Sequence, residues 1–169
     1  MSLSEADIWI RKLDMLPLPE EGGWYRETYR SDEFIPKHCL PERFSDRRTF
    51  ATSIYYLLKS DEFSAFHRIN QEEIWHFYMG SSLRLHIIDK IGNYSTAVMG
   101  PDIDNGAHFQ FTINRGDLFA AEVIEADHFS LVGCTVAPGF EFDDFQVPDR
   151  KDLIKRYPEH AVIIERFTR

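Results

Sequence analysis

The apolar positions of this 169-residue chain fall into short runs separated by turn residues, not into long helical stripes. The runs are Phe50 to Leu58, Glu73 to Tyr78, Leu83 to Asp89, Tyr94 to Met99, Phe109 to Ile113, Leu118 to Val123 and Phe129 to Val136. Runs of this length, rich in β-branched and aromatic residues and bounded by Gly, Pro, Asn, Asp or Ser, predict one strand after another. No helix-length periodic segment lies between them, which favours short antiparallel connections and a closed all-β barrel or sandwich over an α/β sheet. Closure also removes exposed strand edges.

The two ends carry a different pattern. Ser4 stands three residues before Asp7, a capping-box-like start, and Ile8, Trp9 and Leu13 follow at helical spacing, so a helix is predicted over residues 4–13. Pro17 and Pro19 stop it, and the turn Glu20-Glu21-Gly22-Gly23 leads into Trp24 to Tyr29, which reads as an edge strand. The barrel is expected over about residues 22–140. Beyond the acidic stretch Glu141 to Phe145, two short helices are predicted within residues 149–167. Neither a repeat nor a linker-like tract interrupts the chain, so one domain over residues 1–169 is expected.

Composition narrows the function. Fourteen Phe, seven Tyr and three Trp suit a β-rich core or an aromatic-lined pocket. A formal net charge of −9 disfavours a nucleic-acid partner, because a phosphate backbone would on balance be repelled. No apolar stretch approaches the roughly 20 residues of a membrane helix and no leader-like start is present, so a cytoplasmic protein with no membrane partner is expected. Cys39 and Cys134 lack metal-site spacing, and Cys134 reads as a small buried apolar residue. Gly-rich phosphate loops, nucleophile elbows and repeated Cys-x-x-Cys pairs are missing from the sequence.

Chemistry concentrates in Phe66 to Gly80. His67, Ile69, Glu73 and Gly80 follow the spacing of the first cupin motif, with Ile69 standing where that motif has its second histidine. In Asn114-Arg115-Gly116-Asp117-Leu118-Phe119, Gly116 matches the second cupin motif while Asn114 and Phe119 replace its proline and histidine. Four further segments, Pro19 to Tyr29, Ser64 to Arg68, Glu73 to Tyr78 and Val132 to Phe140, resemble one small cupin branch long labelled a domain of unknown function. The chain departs from that branch at Asn114, Arg115 and Leu118.

This resemblance implies a double-stranded β-helix barrel, usually dimeric, around a ligand-sized cavity. Of the superfamily's four metal ligands only His67 and Glu73 remain, whereas a transition-metal site normally takes at least three N, O or S donors. The expectation is therefore no bound metal and no cofactor; a metal-dependent variant would need an additional ligand such as Tyr55 or a water. Strand alternation puts Glu73, Trp75 and Phe77 on one face and His76 and Tyr78 on the other.

His67 reads as a general acid or base oriented by Glu73, or else as a hydrogen-bonded core histidine. Tyr25 and Arg26 follow the glycine turn, where the guanidinium would hold an anionic group or form an interface ion pair. Tyr55, read as facing inward with Ser53, offers a phenolic donor or fills the barrel. Ile69, Trp75 and Phe119 complete the expected ligand-binding set, with Phe119 giving an apolar wall in the place of a ligand histidine. His38, His86, His108, His128 and His160 show no mutual metal spacing. Three functions stay open: a metal-independent isomerase or epimerase on a sugar-like or carbonyl-bearing molecule, a non-catalytic binding or sensing module, and a metal-dependent cupin enzyme. The partners expected are a small-molecule ligand and a second copy of the chain, paired through the strand at Trp24 to Tyr29.

Overall fold

The structure is a computed structural model that describes residues 4–169. Ser4 caps helix α1 (Glu5–Lys12): its hydroxyl accepts from the Asp7 backbone N–H and donates to the Asp7 carboxylate. Twelve strands follow, β1 (Leu16–Pro17), β2 (Trp24–Arg30), β3 (Phe34–Ile35), β4 (Arg48–Thr49), β5 (Thr52–Lys59), β6 (Ser64–His67), β7 (Glu72–Gly80), β8 (Leu83–Ile88), β9 (Tyr94–Met99), β10 (Gln110–Ile113), β11 (Leu118–Val123) and β12 (Phe129–Ala137). Two short helices, α2 (Arg150–Arg156) and α3 (Ala161–Arg166), end the chain. Asp149 caps α2 by accepting from two backbone N–H groups of its first turn.

The strands form an antiparallel six-stranded sheet, β1-β2-β5-β12-β7-β10, facing a four-stranded sheet, β6-β11-β8-β9; β3 and β4 pair apart from both. This all-β double-sheet barrel is the architecture expected from the sequence. The strand at Trp24 is not a bare edge, since the two-residue β1 pairs with it.

Period-two alternation sorts side chains between the barrel interior and its outer layers. On β5, Ile54, Tyr56 and Leu58 point inward while Tyr55 and Leu57 pack outward beneath α1. On β11, Phe119 and Ala121 enter the interior while Leu118 and Ala120 meet Leu153, Ile164 and Phe167 of the C-terminal segment. β11, covered on both faces, reads as a nearly continuous apolar run, whereas β9 begins with the exposed Tyr94, Ser95 and Thr96. Each fully buried Leu, Ile or Phe contributes about 1.5–3 kcal/mol over exposure. Among the described residues no helix is long and apolar enough to cross a membrane.

The segment after β12 is tied down by a buried ion pair. Arg48 Nε and Nη2 each donate to Asp144 at 2.7 Å, and both side chains are almost fully buried. Gln71 and Asn70 also donate to Asp144, while the remaining Arg48 donors reach the Asp46 and Arg47 carbonyls and Ser45. Burial alone would raise the Asp144 pKa, but the bonds from Arg48, Gln71 and Asn70 hold it below the usual carboxylate range. Every polar atom of the pair has partners, the condition under which a buried ion pair is tolerated. This clamp fixes Phe140, Phe142 and Phe145 over one end of the barrel.

Removing one partner strands the other charge, so Arg48→Met is expected to lower unfolding free energy in urea by about 3–5 kcal/mol. The contribution of Asp144 is present above the unfolded carboxylate pKa and is lost as pH falls through its lower folded value. Acid titration of Asp144→Asn should therefore be shallower than wild type below pH ~4; superimposable curves would contradict the clamp.

Candidate active site

A cavity of about 260 Å³ opens at that end of the barrel. Its deepest polar groups are Glu21, His67, Glu73 and Cys134, all buried. Leu18, Tyr25, Ile54, Ile69 and Val136 form the walls, and Glu27, Arg30, Glu141 and the three phenylalanines form the rim.

Each deep group is placed by a different element. His67 ends β6, directly opposite Phe119 on β11. Glu73 lies on β7 between Ile113 of β10 and Val136 of β12. Glu21 comes from the turn before β2, where Gly22 and Gly23 both have positive φ (101° and 73°), a conformation that glycine adopts without strain. A side chain at Gly23 would run into the Tyr56 ring. The turn is fastened from outside, because the Glu21 carbonyl accepts from the Ala65 N–H at 2.8 Å and from Arg169 at 3.0 Å.

His67 Nδ1 lies 2.7 Å from the Ala65 carbonyl oxygen, which can only accept, so Nδ1 carries the proton and donates. In the neutral ring Nε2 is then a free acceptor, and it faces Glu21 Oε2 at 3.7 Å. Burial pulls the His67 pKa below its ordinary value, against the attraction of Glu73 and the bond to Ala65. Burial pushes Glu21 up to about 7 despite the 2.9 Å hydrogen bond it accepts from Ser64. Glu73 is likewise pushed up to about 7 by burial, against the pull of His67 and with added repulsion from Glu21. Near neutrality the site thus places an imidazole lone pair beside carboxyl groups that still hold protons, an arrangement suited to general acid–base chemistry.

Several sequence expectations require correction. The partner that orients His67 is the Ala65 carbonyl, and Glu73 acts on the ring through its charge. Tyr55 and Ser53 point out of the barrel: Tyr55 packs edge-on against Tyr78 at 5.8 Å, so it can neither donate to a ligand nor complete a metal site. Arg26 also faces outward, its guanidinium 3.4 Å from the Asp14 carbonyl. Trp75 and Phe119 are fully buried behind the cavity rather than lining it; Trp75 meets Tyr56 and Phe119 edge-on at 5.7 and 6.1 Å. Tyr25 and Ile69 do line the cavity. Leu118 and Asn114 lie off it, in the outer layer and in a surface turn bonded to Asp117. Sequence reasoning missed Glu21, Cys134, Arg30 and the phenylalanine rim; for Glu21 the available signal was an acid beside two glycines leading into an aromatic strand.

A metal centre of the four-ligand cupin type does not fit these residues. Ile69 and Phe119 occupy two ligand positions, the Phe119 ring sits 4.0 Å from the His67 ring, and among the described residues no group of three His, Cys, Asp or Glu side chains could hold a metal ion.

A family model described as "Cupin superfamily (DUF985)" matches residues 7–148. The chain belongs to this cupin family. This cupin is similar to protein SO0799 from Shewanella oneidensis, with 36% identity, a TM-score of 0.87 and 99% of each chain covered. A hypothetical protein from Leishmania major gives 29% identity and a TM-score of 0.87 over 98% of this chain and 99% of that one. The Saccharomyces cerevisiae protein named "Uncharacterized protein YML079W" is 28% identical over 152 residues, 83% of this cupin and 75% of the yeast chain.

A carboxyl group with a raised folded pKa holds its proton more tightly folded than unfolded, so its contribution to stability is present below the unfolded value of 4.5 and is lost as pH rises through about 7. His67, with a lowered pKa, works in the opposite direction, its contribution being lost as pH falls below 6.5. Glu73→Gln should therefore gain stability over wild type on going from pH 4.5 to 8, by on the order of 2–3 kcal/mol in chemical unfolding. A constant difference across that range would contradict the raised value.

Proposed function

We propose that this cupin binds a small organic molecule in the cavity and moves a proton on it without a metal, as an isomerase or epimerase of a sugar-like or carbonyl-bearing compound. His67 Nε2 accepts the proton from a carbon next to a carbonyl, and a protonated Glu21 or Glu73 donates to the carbonyl oxygen as the enol forms. Return of that proton from His67 to the neighbouring, former carbonyl carbon, while the hydroxyl on the carbon it left gives its proton to the carboxylate, completes an isomerisation. In an epimerisation the other buried carboxyl group protonates the opposite face of the carbon and the enol proton returns to the first carboxylate. His67 and the spent carboxylate then reset by exchange with solvent, with no redox change in either case. The supporting observation is the free His67 Nε2 facing a buried carboxyl group at 3.7 Å.

The test is incubation with keto and aldo compounds in D2O, reading carbon-bound deuterium by NMR. Incorporation should occur with wild type and fall by about 10²–10⁴-fold in His67→Gln. Binding of such a compound with no deuterium incorporated overturns the catalytic reading in favour of a binding module.

We also propose that the chain pairs through the outer face of the six-stranded sheet, where Tyr29, Ile74 and Tyr78 are exposed. Native mass spectrometry at micromolar concentration should give twice the chain mass, and a monomer overturns the pairing.

A further inference from the structure

The charges around the cavity are one-sided. Among the described residues Glu21, Glu27, Glu73 and Glu141 line it against a single guanidinium, Arg30, and no lysine; Glu27 and Glu141 stand at the rim, and Glu21 and Glu73 add their charge as pH rises through about 7. Arg30 is also committed: Nε and Nη2 bond Glu27 at 2.9–3.2 Å, Nη1 bonds Glu141 at 2.6 Å, and Nη2 reaches the Phe140 carbonyl at 3.2 Å. A bidentate grip on an incoming carboxylate or phosphate requires two free parallel N–H groups, and these bonds leave no such pair. Among the described residues no α-helix begins at the cavity, so no helix N-terminus of useful length supplies an alternative anion site there.

The same rim is favourable to cations. Phe140, Phe142 and Phe145 meet one another edge-to-face at 5.3–6.3 Å with planes 71–87° apart, so the three rings cannot all turn their edges in one direction. The face of an aromatic ring carries partial negative charge and attracts a cation, and Glu141 keeps one carboxylate oxygen free of Arg30. The walls behind are apolar, through Leu18, Ile54, Ile69 and Val136.

We infer that the cavity selects amine-bearing ligands: a protonated amine is held between the Phe140, Phe142 and Phe145 rings and the Glu141 carboxylate, and carboxylates or phosphates of equal size are excluded. This rests on the proposed function only in taking the cavity as the ligand site, and it narrows the substrate class to amino-substituted sugars or carbonyl compounds. The selection is a matter of binding and holds whether or not a proton is transferred.

The test uses the full chain at pH 8 with three probes of one shape, cyclohexylamine, cyclohexanol and cyclohexanecarboxylate, followed by NMR titration of backbone amides. Cyclohexylamine is expected to shift the amides of residues 140–145 and to bind at least ~10-fold more tightly than the carboxylate, with the alcohol between. Glu141→Gln should reduce that ratio several-fold, and Phe142→Leu should weaken the amine more than the alcohol. Equal or tighter binding of the carboxylate, amine shifts confined to residues outside the cavity, or a ratio unmoved in both variants overturns the inference. Failure of deuterium incorporation in the earlier experiment would remove catalysis while leaving these outcomes unchanged.

Discussion

Glu21, His67 and Glu73 are buried side by side in one cavity, and two carboxylates in such a place cannot ionise together at ordinary cost. The surrounding structure sets which form each group takes. The Ala65 carbonyl fixes the proton on His67 Nδ1, desolvation keeps the ring neutral, and the same desolvation lets the carboxyl groups keep protons up to about pH 7. One environment thereby produces a base and an acid side by side, the separation of roles that proton-transfer sites require.

The same chain shows the opposite treatment of a buried carboxylate a short distance away. Asp144 is 1% exposed and Glu73 9%, yet a bidentate arginine and two amides keep Asp144 ionised. The difference lies in partners, not depth: Asp144 has four donated bonds, whereas Glu21 has one from Ser64 and faces a ring nitrogen that can only accept. The satisfied carboxylate is structural and holds the phenylalanine rim; the under-satisfied ones are available for chemistry.

The barrel was legible because its strands are short apolar runs bounded by turn residues: β9 and β11 begin and end where their runs do, and Leu83 to Ile88, Gln110 to Ile113 and Phe129 to Ala137 differ from the expected bounds by a residue or so. The strand carrying His67 was not, since Ser64 to His67 is only four residues long and buried on both faces, leaving no alternation to read. His67 and Glu73 were legible from motif spacing. Tyr55 and Arg26 misled because facing depends on register within the sheet, which a single strand does not encode. Glu21 was hidden because its role arises from a turn that tertiary contacts with Ala65 and Arg169 fold over the barrel.

Burial in this cavity holds Glu21 and Glu73 protonated to near neutrality beside a neutral His67. NMR titration of protein carrying 13C-labelled glutamate carboxyl groups, assigned with Glu21→Gln and Glu73→Gln, observes this directly. Two resonances titrating near pH 7, absent in turn from the two variants, is the result this structure predicts. Both carboxyl groups titrating near pH 4.5, like solvated glutamates, would contradict it.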